Sequence, residues 1–266
     1  MDVVPIDLSE ALAAVEAAGS RATNLIQAIP DASVRAEGLD WTLGQVAAHL
    51  VANMRQHTDW VQGQGKVDYC VPDLGAENSR HMDAVPTRQQ DELARLFSEG
   101  TGAFLSAARA ADPSRVIPEV VGPDLSLADL ACVLLGEIVV HGHDIARTIG
   151  RPWPIDPRAA TLIIEGTMAI LPEFVDREAA AKVRATYELR LRRGPRYVVA
   201  VKDGEMQVEP PGARAVDCRI SADPVALLLV SYGRIGQWGP IGKGQMMAWG
   251  RKPWLALKFT SLVRNP

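Results

Sequence analysis

The chain has 266 residues, of which 47% are hydrophobic and only 5% aromatic, with a formal net charge of −4. That supports one large core or two modest ones, and excludes a disordered chain or a broadly nucleic-acid-binding one. The most apolar helical stretch, 125–145, is interrupted by Asp129, Glu137, His141, His143 and Asp144, so no membrane span and no membrane partner are expected.

Met1 to Asp7 contain no basic stretch followed by an apolar run, and no secretory signal is expected. Cys70, Cys132 and Cys218 are widely spaced and odd in number, which fits no disulfide framework or zinc knuckle. A reducing cytoplasm is the expected compartment. Charge divides the chain after Val175: residues 1–175 hold 12 Lys+Arg against 24 Asp+Glu, net −12, and residues 176–266 hold 16 against 8, net +8. All five histidines lie in the first part. Hydrophobic periodicity changes near the same point, and two domains are expected, 1–175 and 176–266.

In chain order, Leu12, Val15, Ala22, Leu25, Ile26 and Ile29 give a first helix from about residue 8 to 29. Thr42 and Gln45 form a capping box for a second, which carries Val46, His49, Leu50, Asn53 and Met54 to about Trp60. The stretch 63–86 reads as a long connection, followed by a helix opened by Thr87 and Gln90. Ser126 with Asp129 opens a fourth helix, which carries Leu127, Leu130, Leu134, Ile138 and Ile145 and ends at Gly150. This is the pattern of a four-helix bundle with one long crossover, and 151–175 reads as a bridging helix.

Beyond it the period falls to two, with Tyr187, Leu189 and Leu191 alternating with Glu188, Arg190 and Arg192. Strands follow at 197–201, 206–208, after the Asp203-Gly204 turn, and 217–221. Asp223-Pro224 opens a helix to Tyr232, 245–249 is a last strand, and Pro253 opens a final helix through Leu262. The second domain is a small α+β unit.

Glu137 and His141 are four apart and share a face with Leu130, Leu134, Ile138 and Ile145, the stripe that should enter the bundle. His49 lies among apolar residues on the second helix. Two imidazoles and a carboxylate on facing helices suit zinc or another divalent ion with a position left open. A simple helix salt bridge and a hydrogen-bonded core histidine fit the same spacing. Asp144, seven beyond Glu137, can orient a ligand histidine. His57, His81 and His143 read as solvated or loop residues.

Trp41 to Leu50 (WTLGQVAAHL) and Gly136 to Ala146 (GEIVVHGHDIA) together resemble the mycothiol-dependent maleylpyruvate isomerase family, within the DinB-like metal-binding bundles. The resemblance covers about residues 8–175. The sequence ISADP at 220–224, the apolar helix after it, Tyr232-Gly233-Arg234 and the segment 245–262 resemble a sterol-carrier-protein-like domain. The implied fold is thus a mixture of α and α+β: a DinB-like four-helix bundle followed by a small sterol-carrier-like domain.

The resemblance implies that His49, Glu137 and His141 hold a divalent metal, zinc being the first choice, with Asp144 in support. It implies mycothiol as cofactor: a low-molecular-mass thiol, activated as thiolate, that attacks a small electrophile and isomerises it or transfers sulfur to it. Gly136 stands where many relatives have arginine, so cationic partners for an anionic substrate are sought elsewhere. Arg80 in the long connection and Arg234 after the second domain's apolar helix are the candidates, Arg234 the better one. The alternative is a non-catalytic carrier of lipid or small apolar ligands through the second domain, with a structural metal in the bundle.

Overall fold

The computed structural model describes residues 6–64, 73–117, 122–212 and 214–264. Its contacts form two compact units, 6–155 and a unit beginning at Asp156.

The first unit is built on four long helices, α1 (Leu8–Gln27), α2 (Leu43–Gln62), α4 (Gln90–Ala110) and α5 (Leu127–Thr148). Helix α1 packs on α4 and α5, and α2 packs on the same two, so the four close a ring around one core. The ends are specified locally. Asp7 accepts from the Ser9 and Glu10 amides at the start of α1, and Ser126 accepts from the Asp129 amide at the start of α5. Thr42 and Gln45 complete the expected capping box on α2.

Three details depart from expectation. The Thr87–Gln90 capping box does not form, because the Thr87 hydroxyl accepts from the Gln89 amide and α4 starts at Gln90. The described part of the long connection contains another helix, α3 (Leu74–Asp83), whose Glu77 pairs with Arg80 and, at 3.9 Å, with His81. Arg80 is therefore on a helix and ion-paired; Cys70 lies outside the described residues. Before α5, β1 (Val116–Ile117) and β2 (Leu125–Ser126) form a short antiparallel pair.

Residues 156–175, expected as a bridge belonging with the bundle, fold instead with the second unit. Helix α6 (Pro157–Ile170) packs on α8 (Pro224–Ser231), and its Ile164 joins that unit's core. After α7 (Arg177–Ala181) comes a five-stranded sheet of β3 (Ala185–Leu191), β4 (Arg196–Lys202), β5 (Glu205–Glu209), β6 (Cys218–Ala222) and β7 (Met246–Gly250). Its order is β5-β4-β3-β6-β7, antiparallel except for the β3–β6 pair. Tyr187, Leu189 and Leu191 face the core with Val199, Ile220 and Phe259, as period-two alternation requires. A short α9 (Trp238–Gly242) precedes β7, and the final helix is broken into 3-10 turns around α10 (Ala256–Phe259). No helix among the described residues is long and apolar enough to cross a membrane.

Glycine fixes one close approach beside the polar face of α5. A Cβ on Gly142 would lie 2.4 Å from Trp153 Cζ2. That ring has little room to yield: its Nε1 donates to the Val139 carbonyl at 3.0 Å, and the Arg21 guanidinium lies 4.3 Å over it. Gly142→Ala would gain about 1 kcal/mol of helix propensity against about 1–3 kcal/mol of overpacking. A net loss of up to about 2 kcal/mol is expected from denaturant midpoints. Gly102→Ala, on an exposed turn of α4 with nothing near the added methyl, should instead stabilise by up to about 1 kcal/mol.

Candidate metal centre

Helices α2 and α5 bring His49, Glu137 and His141 together, each offering one ligand atom within 4.8 Å of the others. His49 Nε2 is 3.0 Å from Glu137 Oε2, and His141 Nε2 is 3.6 Å from the same oxygen. Asp144 Oδ2 lies 3.1 Å from His141 Nδ1. By accepting a hydrogen bond from Nδ1–H, Asp144 directs the lone pair of Nε2 into the cluster. The predicted triad and its supporting aspartate are thus adjacent.

Burial is graded across the site. The side chains of His49 and Asp144 are 4% and 3% exposed, whereas His141 retains 12% and Glu137 22%. Solvent therefore reaches the cluster from the carboxylate side. Trp41 packs against both imidazoles, with ring centroids 5.0 Å from His49 and 6.0 Å from His141.

Electrostatics favours an ion-binding state. Burial lowers the His49 pKa, so the imidazole is neutral and keeps a lone pair. Burial would raise Glu137, but the His49 hydrogen bond and the charges of His49, His141 and His57 outweigh it and bring the carboxyl to about 2. An ionised carboxylate beside the neutral His49 imidazole is a state suited to a divalent metal. The donor set fits a zinc-type ion.

Sequence spacing did not distinguish two further residues here. Asn53, one turn after His49 and 7% exposed, places Nδ2 2.9 Å from Glu137 Oε2 and 3.0 Å from His49 Nε2. Its signal was the i, i+4 spacing from His49. His57, expected to be solvated, is instead 4% exposed, with Nδ1 bonded to the Asn53 carbonyl at 2.8 Å and its ring 4.9 Å from Trp60. Helical periodicity puts 57 on the face of 49 and 53, which is why it is buried. His81 is 39% exposed, on α3, and His143 is half-buried on α5. Arg234 belongs to the second unit, where its Nη1 donates to the Tyr232 carbonyl at 2.7 Å.

Residues 12–146, which include every member of this cluster, match the family model of the mycothiol maleylpyruvate isomerase N-terminal domain. The chain belongs to that family. Residues 169–246 match the model of the SCP-2 sterol transfer family. A crystal structure of a mycothiol-dependent maleylpyruvate isomerase is 13% identical, covering 91% of this chain and 93% of that one, with a TM-score of 0.57. The structure of its histidine-to-alanine mutant is 14% identical over the same shares, with a TM-score of 0.55. At these identities the likeness is one of fold. None of the curated proteins matches the sequence.

His57 makes the site region acid-sensitive. Burial brings its pKa from 6.5 to about 4, with the Asn53 carbonyl and Glu137 opposing only in part. The unfolded chain takes up this proton first, so stability present above pH 6.5 is lost as pH falls towards 4. The full loss is about 3 kcal/mol. In metal-free protein, unfolding midpoints at pH 7 and pH 5 should fall more for the wild type than for His57→Phe.

Proposed function

We propose that this protein is a mycothiol-dependent enzyme that isomerises, or transfers sulfur to, a small electrophile. The observation that carries this reading is the convergence of His49, Glu137 and His141 inside a bundle of that family. These three residues would hold a divalent cation, with zinc first among the candidates for two imidazoles and a carboxylate. Such an ion supplies Lewis acidity that lowers a thiol pKa from about 8.5 and so provides thiolate at neutral pH.

The chain's own residues prepare the site for that thiol. Asp144 positions His141 by accepting at Nδ1, and Glu137 contributes the negative charge that a cation requires. Trp41 shields the imidazoles, while the exposed edge of Glu137 leaves an approach for the thiol. In an isomerisation, the mycothiol sulfur adds to an activated double bond and its electron pair moves into the adjoining carbonyl. Rotation follows about the new single bond. The electron pair then returns, the double bond re-forms and thiolate leaves. If the electrophile instead carries a leaving group, the carbon–sulfur bond persists and the outcome is S-transfer. For an anionic electrophile we offer Arg234 as charge partner, on its sequence position alone. Cys132 and Cys218 are both buried, so the sulfur that reacts belongs to the added thiol, and a reducing cytoplasm is the compartment this reading takes.

Elemental analysis of protein purified without chelator should find about one divalent ion per chain, lost in His49→Ala and Glu137→Ala. Mycothiol should raise the Tm of the metal-loaded protein and leave the chelated protein unchanged. Absence of metal after incubation with zinc would overturn the mechanism. A Tm that responds only to apolar ligands, regardless of metal, would favour a carrier through the SCP-2-like domain.

A further inference from the structure

We infer that Asn53 is a fourth protein ligand of the centre, its side-chain oxygen turning onto the cation when one binds. The inference rests on the metal-centre reading above. Two atoms bound to one cation by bonds of about 2.0–2.1 Å, at angles between octahedral and tetrahedral, stand roughly 2.9–3.4 Å apart. The terminal Nδ2 of Asn53 lies at such a spacing from two of the three ligand atoms, 2.9 Å from Glu137 Oε2 and 3.0 Å from His49 Nε2.

The end of the Asn53 carboxamide that faces the cluster is its donor end. Nδ2 gives a hydrogen bond to Glu137 and meets His49. With a cation between the ligands, the same N–H groups would point at positive charge. A half-turn about χ2 exchanges Nδ2 for Oδ1 with almost no change in shape, and presents a hard oxygen suited to a divalent ion. Side-chain escape is not an easy alternative, because Asn53 is 7% exposed and sits in the middle of α2. Its carbonyl, which takes His57 Nδ1 at 2.8 Å, ties the next turn of the helix to this position.

The consequence is a donor set of two nitrogens and two oxygens in place of two nitrogens and one oxygen. These four residues would hold the ion, which would supply Lewis acidity to an approaching thiol. Asn53 thereby tunes affinity and metal preference without touching the electrophile.

The test uses the full chain, with Zn²⁺ and Co²⁺ alone as probes and no thiol. Asn53→Leu removes the oxygen and should weaken zinc binding by about 10-fold or more. Its cobalt complex should absorb more strongly in the visible, as the coordination number falls. Asn53→Asp keeps an oxygen in place and adds charge, so it should bind zinc at least as tightly as the wild type. It is nearly isosteric, and circular dichroism melts of both variants establish that they fold. Zinc affinity and a cobalt spectrum unchanged in Asn53→Leu would overturn the inference, as would an Asn53→Asp variant weakened like the leucine one. Either result leaves the three-residue centre standing. A wild type that binds neither ion would overturn both the centre and the role of Asn53.

Discussion

Glu137 puts a carboxylate on the stripe of α5 that otherwise carries Leu130, Leu134, Ile138 and Ile145 into the bundle. Such a group is tolerated there only if it is paired, because removing an isolated charge from water costs several kcal/mol. The pairing comes from another helix. His49 and Asn53 on α2 reach the same carboxylate oxygen, and His141 approaches it from one turn along α5. The packing of α2 on α5 therefore determines whether Glu137 is a liability or a paired group. Helix α4 packs on α2, α1 packs on α5, and α1 and α4 pack on each other, which holds that pair in place.

The same carboxylate works against the neutrality of the histidines on α2. Both His49 and His57 have lowered pKa values through burial, although the Glu137 charge acts in the opposite direction. The arrangement thus combines one carboxylate, uncharged imidazoles on α2, and Asp144 behind His141. This is how a bundle can place polar groups inside without polar packing having to stabilise it.

How much was legible in the sequence depends on the range over which each feature is determined. The Thr42–Gln45 box involves residues three apart and formed as expected. Glu137, His141 and Asp144 were readable because helical spacing alone puts them on one face. Periodicity also put Tyr187, Leu189 and Leu191 on the core side of β3. Helix α3 was not readable, since Leu74–Asp83 is mostly polar and carries no apolar stripe to mark it. Thr87 shows how a correct motif fails when a nearer amide, that of Gln89, takes the hydroxyl. The placement of α6 depends on its contact with α8, some 60 positions along the chain, and no local pattern announces it.

Asn53 and His57 are the more instructive omissions, because the spacing that identified His141 also covers them. Positions 49, 53 and 57 lie at i, i+4 and i+8 on α2 and form a polar ladder opposite the one at 137, 141 and 144 on α5. Read singly, an asparagine and a histidine within a helix are unremarkable; opposite a buried carboxylate they are the groups that can satisfy it. Asn53 bonds to Glu137 through its side chain and accepts from His57 through its carbonyl, so one residue links the ladders and carries the polar order a turn further along α2. A motif of three ligands describes which atoms can meet an ion. The ladders describe how those atoms are held to one another across α2 and α5.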